Sequence, residues 1–192
     1  MIVNEEETFC PADQIEWRNW LAENHQTKQS IWLVYFKMSS GKSTITWSQA
    51  VDEALCFGWI DSTRKTRDAE SFYQFFTRRK PKSNWSKINK AKIESLTAAN
   101  KMAPAGHAVI EVAKLNGSWN ILDEVEELTI PKDLLKALSV RKGAKPYFLS
   151  LSKSVMKMML YWVKSAKRPE TRQKRIDEIA DKAMEGLKPK QF

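Results

Sequence analysis

The chain has 192 residues, of which 42% are hydrophobic and 29% charged, and its formal net charge is +9. This composition is typical of a soluble globular protein, and the length allows a main domain with a smaller appendage. The longest apolar run, at 155–163, is interrupted by lysine and is too short to cross a bilayer, and no signal-peptide pattern opens the chain. These features favour a cytoplasmic protein without a membrane span.

The positive charge is unevenly distributed along the chain. Residues 1–60 carry four basic and eight acidic side chains, whereas residues 61–103 carry eleven basic and four acidic ones. Residues 104–192 carry seventeen basic and eleven acidic side chains. A positive field that begins after the opening stretch favours anionic or acidic partners.

Cysteines and histidines are too few and too scattered to indicate a metal site. Cys10, Cys56, His25 and His107 are the only residues of these types, and their spacing matches no zinc motif and no disulfide framework. We therefore predict no metal and no cofactor, and we expect both thiols to be reduced.

The N-terminal half begins with alternating helix and strand patterns. Apolar residues at helical spacing predict a helix over 11–24, and the run "SIWLVYFK" at 30–37 predicts a buried strand. Thr46 and Gln49 form a capping-box pattern that begins a second helix, and Gly58 stands where a left-handed residue ends one. Helical spacing predicts a buried face made of Trp47, Ala50, Val51, Ala54 and Leu55.

A hairpin and two helices follow this second helix. Residues 59–65 and 71–78 have strand patterns joined by a polar turn, so we predict a hairpin that extends the sheet. Helices are predicted near 85–99 and 104–116. The acidic segment 124–127 predicts a connector or a short edge between two domains.

Only helical patterns follow this acidic segment, with predicted starts at Pro131, Ser152 and Pro169. The chain is therefore predicted to have an α+β fold. A small antiparallel sheet packed with helices is expected over residues 1–122, and an all-helical C-terminal module over residues 128–192.

Three motifs together resemble one bacterial family. These are "DEALCFGWIDS" at 52–62, "RRKPKSNWSKIN" at 78–89 and "AKRPETRQKRI" at 166–176. In this order and spacing they resemble the YdeI/OmpD-associated family, also labelled bacteriocin-protection proteins, and the last part of the chain is similar to its C-terminal OmdA module. The resemblance covers nearly the whole chain and implies a small α+β fold. It implies no particular reaction, because the family name rests on genetic association.

Two residues of the first motif are candidates for chemistry. Cys56 falls in the last turn of a predicted helix, where the partial negative charge of the helix end disfavours a thiolate. We interpret it as a core residue, with a reactive nucleophile as the alternative. Asp61 is interpreted as an edge carboxylate paired with Arg64, Arg78 or Arg79, with a general acid or base as the weaker alternative.

The second motif is the stronger functional candidate. Positive side chains at the end of a predicted strand lead through Pro81 to a predicted helix N-terminus, which is a favourable place for a phosphate or a carboxylate. Trp85 offers a stacking or packing surface beside it. The alternative is that Trp85 packs the helix onto the sheet and the charges only solvate the loop. The predicted anion or nucleic-acid site comprises Arg78, Arg79, Lys80, Ser83, Trp85, Ser86 and Asn89.

The third motif extends this prediction to the last helix. Arg172 and Arg175 lie three residues apart and share a helix face, which predicts a second basic surface for nucleic acid or an acidic partner. The alternative is a solvated face with Glu170, Asp177 and Glu178 as local partners.

These observations predict a non-catalytic bacterial binding protein that takes an anionic ligand, a nucleic acid or an acidic protein surface. Two alternatives remain open. One is an enzyme with a small-molecule pocket between the sheet and the Thr46 helix that uses Asp61 and an arginine. The other, implied by the resemblance, is an envelope-stress or bacteriocin-tolerance partner that acts by protein contact.

Overall fold

The structure, a computed structural model, describes residues 7–42 and 44–192. It has an α+β architecture, as predicted. The chain divides into two compact units, Met1–Asn120 and Ile121–Phe192, and each unit has a hydrophobic core of its own.

The first unit is built on a mixed sheet covered by helices on one face. Its strands have the order β1-β2-β4-β3. The antiparallel pairing of β2 with β4 and of β3 with β4 confirms the predicted hairpin, whereas the two-residue β1 runs parallel to β2. The described elements of this unit are β1 (Thr8–Phe9), α1 (Gln14–Asn24), β2 (Ser30–Phe36), a 3-10 turn (Met38–Ser40), α2 (Trp47–Cys56), β3 (Trp59–Thr66), β4 (Ser71–Arg78), α3 (Lys87–Ala98) and α4 (Pro104–Leu115).

Alternating side chains of the sheet separate into two clusters. Leu33, Tyr35 and Phe76 are buried and pack with the helices in the main core. Trp32 and Tyr73 belong to a second, smaller cluster. It is formed by side chains on the other face of the same two strands. This alternation follows from the period of two along a strand and fixes which side chains meet α2.

Helix α2 has the predicted signals at both ends. The Thr46 hydroxyl accepts from the Gln49 N–H at 3.3 Å, and the Gln49 side-chain oxygen accepts from the Thr46 N–H at 3.0 Å. Gly58 follows the helix with φ +74°, a left-handed conformation that favours glycine. The predicted burial of Trp47 is wrong, because this residue begins the helix and remains 49% exposed.

A β-bulge interrupts the pairing of β3 with β4. Asp61 lies opposite Phe76, and Arg64 lies opposite Gln74. A step of three residues along β3 is therefore matched by a step of only two residues along β4. Strict alternation would place Thr63 on the same face as Asp61. The bulge places Arg64 there instead.

Helices α2 and α4 approach each other very closely at Gly106. A Cβ atom built on Gly106 would lie 2.3 Å from the carbonyl oxygen of Cys56. The same carbonyl accepts from the Ala103 N–H at 3.1 Å, at the start of α4. Only glycine fits at this contact.

Helices are the only regular elements of the second unit in the part that the structure describes. Its core is formed by side chains of all five helices, among them Val125 of α5. The acidic segment predicted as a connector instead forms α5, whose Glu124 and Glu126 pair with Lys164 and Lys157 of the same unit. The helices are α5 (Asp123–Glu126), α6 (Lys132–Val140), α7 (Ala144–Ser150), α8 (Lys153–Lys164) and α9 (Pro169–Met184).

Candidate functional site

The end of β4 brings two consecutive arginines beside the turn that follows α2. Arg78 lies opposite Trp59 in the register of the hairpin. The Arg79 N–H donates to the Gly58 carbonyl at 2.9 Å, and the Arg78 N–H donates to the Gln29 carbonyl at 3.1 Å. The backbone of both arginines is thereby fixed by neighbouring segments.

Arg79 is a buried cation held by aromatic and backbone contacts. It is only 6% exposed, and its guanidinium carbon lies 3.7 Å from the ring centroid of Trp85. Its Nη1 donates to the Asn84 carbonyl at 2.7 Å and to the Ser83 hydroxyl at 3.4 Å. These contacts satisfy one end of the guanidinium and orient the whole group.

Two donor atoms of each guanidinium group lack partners. Nε and Nη2 of Arg78 and of Arg79 are buried and have no hydrogen-bond partner among the residues that the structure describes. An unsatisfied buried donor costs about 1–3 kcal/mol, and more when it is charged. Four such N–H-bearing atoms on neighbouring residues indicate a site built for an acceptor.

A small cavity opens beside these arginines. Its volume is about 220 Å³. Glycine at position 58 keeps this side of the cavity free of a side chain. A Cβ atom there would lie only 2.8 Å from Cγ2 of Val109. The wall residues are His25, Gln26, Phe57, Gly58, Trp59, Arg78, Arg79, Ala105 and Val109.

The electrostatics of the cavity favour an anion. Burial lowers the pKa of Arg79 to about 10, and the nearby Asp61 carboxylate opposes this shift. The guanidinium therefore remains charged at neutral pH. No Asp or Glu side chain lines the cavity within the described part of the chain.

The structure brings together only some of the residues predicted for this corner. Arg79 contacts Ser83 and Trp85 and lines the cavity together with Arg78, whereas Lys80 is exposed and does not line the cavity. The predicted helix start is two residues too early. The helix begins at Lys87, because the Ser86 hydroxyl accepts from the Asn89 N–H at 3.2 Å and caps it. Ser86 and the backbone of Asn89 are thus used within the helix end.

Sequence reasoning missed the opposite wall of the cavity. His25 directly follows α1, and Ala105 and Val109 lie in α4, so all three are far from the arginine motif in the chain. No local pattern links them to it. Gly58 alone carried a signal, because its position after a capped helix predicts a left-handed turn.

Arg172 and Arg175, the two arginines predicted to form a second basic surface, are both tied within the second unit. Arg172 forms a two-pronged ion pair with Asp133, with Nε–Oδ2 and Nη2–Oδ1 distances of 2.7 and 3.0 Å. Arg175 donates to the Trp162 carbonyl and to the Ser165 hydroxyl, and it stacks 5.1 Å from the Trp162 ring. These partners differ from the local acids of α9 that the sequence suggested, and they connect α9 with α6 and α8.

The Arg172–Asp133 pair predicts an acid-sensitive second unit. The Arg172 hydrogen bonds lower the pKa of Asp133, so this stabilisation is complete above the ordinary carboxyl value of about 4 and is lost as the pH falls through the lower folded-state value. Because Asp133 is 43% exposed, the effect should stay below about 1 kcal/mol. Arg172→Met should make the loss of stability below pH 4 less steep. The indole NMR signal of Trp162 measures this loss. An equally steep acid transition in the variant would contradict this role, and Lys174→Met is the matched control.

Asp61 is not held by an arginine among the described residues. Its Oδ2 accepts from Trp47 Nε1 at 2.9 Å and from Gln74 Nε2 at 3.4 Å. The interpretation as an ion-paired edge carboxylate is therefore wrong. Neutral donors take the place of the expected cation, because the first turn of α2 brings the Trp47 indole N–H to this carboxylate.

Cys56 is a core residue, as interpreted from the sequence. It is 0% exposed, and burial raises the pKa of its thiol to about 11, while Arg18 opposes the shift. A protonated, inaccessible thiol cannot act as a nucleophile at neutral pH.

Clusters of metal-ligating side chains and helices able to span a membrane are both absent from the described residues. Across residues 7–42 and 44–192, no three or more His, Cys, Asp or Glu side chains group into a candidate metal site. Over the same residues, none of the helices has the length and apolar character needed to cross a bilayer.

Two family models match the chain, one within each unit. A family model described as "Domain of unknown function (DUF8412)" matches residues 9–109, which is more than half of the chain. The protein belongs to the DUF8412 family. A second model, described as "Bacteriocin-protection, YdeI or OmpD-Associated" (OmdA), matches residues 127–186, which contain the third motif, and confirms the resemblance to this family in the last part of the chain. No curated protein and no solved structure matches the chain. In this DUF8412 member the arginine cavity lies inside the first matched region.

Proposed function

We propose that the protein binds a small anionic group, a phosphate or a carboxylate, in the cavity lined by Arg78 and Arg79. One observation carries this proposal. The buried Arg79 and its half-buried neighbour Arg78 each retain buried N–H donors without partners, and both residues line an open cavity. An oxyanion accepts several hydrogen bonds at once, and a guanidinium presents its donors in a planar fork that suits it.

The size of the cavity favours a small group over a long polymer. A volume of about 220 Å³ is below the range of roughly 300–1,000 Å³ that is usual for drug-sized ligands. The cavity accommodates the charged end of a ligand rather than a whole nucleotide. Trp85 is 2% exposed and covers Arg79, so it offers no free face for a stacked base. A small anion is therefore favoured over single-stranded nucleic acid.

Calorimetric titration with inorganic phosphate, pyrophosphate and citrate at low salt tests the proposal. We expect saturable binding that weakens as salt is added, since the contact is between charges. Arg78→Gln should weaken binding about ten-fold or more, because a hydrogen bond to a charged group contributes about 1.5–3 kcal/mol. Val109→Leu should also weaken binding by filling the cavity without altering either arginine.

Lys80→Gln is the matched control, because it removes the same charge from the neighbouring exposed position. It should change affinity less than two-fold, within the about 0–1 kcal/mol expected for an exposed charge. Absence of salt-sensitive binding to all three anions would refute the proposal. Equal effects of Lys80→Gln and Arg78→Gln would place the binding outside the cavity and would equally count against it.

The family description favours a second candidate function. The OmdA model is described as bacteriocin protection, and a protein of net charge +9 meets acidic surfaces more readily than cationic peptides. A role as a cytoplasmic tolerance factor that acts by contact with an acidic protein is thus the alternative. Unchanged peptide sensitivity after deletion of the gene would remove its support.

A further inference from the structure

A second, larger cavity lies at the opposite end of α2, where that helix begins. It has a volume of about 520 Å³ and lies between the end of β2, the segment before α2 and the bulged part of β3. Tyr35, Ile45 and Phe72 line its inner side, and Trp47, Lys42 and Arg64 its outer side. This size is in the usual range for small-molecule sites.

Two hydroxyl groups at this cavity lack partners. The Tyr35 hydroxyl and the Thr44 hydroxyl are buried and have no hydrogen-bond partner among the residues that the structure describes. Tyr35 is only 2% exposed. Burial and the Asp61 charge raise the pKa of Tyr35 above its ordinary value, so its hydroxyl keeps its proton and can donate. A buried hydroxyl without a partner is unfavourable, and a ligand atom in the cavity would relieve this.

The walls of the cavity are aromatic and apolar. The rings of Tyr35 and Phe72 stack at 5.1 Å with an interplanar angle of 4°. Ile45 is buried beside them, and the ring of Trp47 is half exposed at the outer side. Such walls suit a flat apolar body that covers the exposed indole.

Two cationic side chains lie at the outer side of the same cavity. The Arg64 guanidinium carbon lies 3.7 Å from the ring centroid of Phe72, and Lys42 Nζ lies 5.0 Å from the ring of Phe36. Lys42 is also paired with Glu70 at 2.7 Å, which leaves Arg64 as the better anchor for a ligand anion. Arg64 faces this cavity because the bulge of β3 reverses the alternation of side chains.

The geometry points to a site for a small aromatic carboxylic acid whose ring carries a hydroxyl or carbonyl group opposite the carboxylate. The inner polar group of the ligand bonds to the hydroxyls of Tyr35 and Thr44. The ring lies against Ile45 and Trp47, and the carboxylate meets Arg64 at the outer side. Asp61 disfavours the reverse orientation, because it would place the anion near this carboxylate. This site is independent of the arginine cavity.

Titration calorimetry with 4-hydroxybenzoate as the probe tests this assignment in the full chain. Benzoate lacks the inner hydroxyl and phenol lacks the carboxylate, and each should bind about ten-fold more weakly. Tyr35→Phe should weaken binding of 4-hydroxybenzoate several-fold and leave benzoate binding unchanged. In the absence of ligand Tyr35→Phe should not lower the melting temperature, because it removes an unsatisfied group.

Arg64→Gln should weaken binding about ten-fold, whereas Lys65→Gln, the adjacent residue on the other face of the sheet, should leave it within two-fold. Absence of binding by all three probes at millimolar concentration would overturn the assignment. So would binding that is unaffected by both Tyr35→Phe and Arg64→Gln. Loss of 4-hydroxybenzoate binding in Arg78→Gln, or competition by phosphate, would assign the probe to the arginine cavity and also overturn it.

Discussion

Replacement of Gly106 by alanine is expected to lower the free energy of unfolding of the first unit by about 3 kcal/mol, at the upper end of the cost of overpacking. The added Cβ would lie 2.3 Å from the carbonyl oxygen of Cys56, which is backbone and cannot rotate away. Alanine is a better helix former than glycine by about 1 kcal/mol, so the steric contact must exceed this gain for the variant to lose stability. Helices α2 and α4 would have to move apart and weaken the Ala103–Cys56 hydrogen bond.

Urea denaturation followed by tryptophan fluorescence measures this effect. Seven of the eight tryptophans lie in the first unit, so fluorescence reports mainly on it. Ala108→Ser, at an exposed position of the same helix, is the control and should cost less than about 1 kcal/mol. A Gly106→Ala variant as stable as the parent protein would show that the two helices do not pack this closely.

Replacement of Arg18 by methionine is expected to lower the free energy of unfolding by about 3 kcal/mol, because it leaves a buried carboxylate without its cation. Glu53 is 3% exposed, and its Oε2 lies 2.5 Å from Arg18 Nη1. Gln14 Nε2 donates to the other oxygen at 2.6 Å, and this neutral donor cannot balance the charge. Arg18 also donates to the Lys101 carbonyl at 2.8 Å, so its loss frees a second segment.

The reverse substitution, Glu53→Met, should cost less. The Arg18 side chain is 36% exposed and can be hydrated when its partner is removed. The double variant Arg18→Met with Glu53→Met should regain most of the loss, because an apolar pair of similar volume replaces the buried ions. Chemical denaturation of the three variants completes the cycle. A double variant that loses the sum of both single effects would contradict this account.

Much of the architecture could be predicted from local patterns. The capping box at Thr46, the left-handed Gly58 and the strands that flank the hairpin turn all depend on neighbouring residues, and all occur as predicted. Strand β1 was missed because two residues are too few to show a strand pattern. The position of Trp47 was wrong because helical spacing gives the face of a residue but not where the covering sheet ends.

The candidate sites were less predictable than the fold. The charge run that contains Arg78 and Arg79 was visible in the sequence, but the burial of Arg79 under Trp85 was not, because it depends on the turn through Asn84. The wall supplied by α1 and α4 depends on tertiary contacts. Nothing in the sequence indicates that the Tyr35 hydroxyl belongs to a site, because its strand has the pattern of an ordinary buried aromatic strand.

The bulge in β3 has a consequence for how the second cavity can change genetically. No single substitution can transfer the guanidinium of Arg64 to the other face of the sheet, because the face is determined by residue count rather than by residue type. Deletion of one codon between Asp61 and Arg64 would remove the bulge, but it would leave the arginine two residues after Asp61, opposite Gln74 and on the same face as before. The charge at this cavity therefore survives loss of the bulge residue, and comparisons of related chains should expect the equivalent arginine either two or three residues after the equivalent of Asp61.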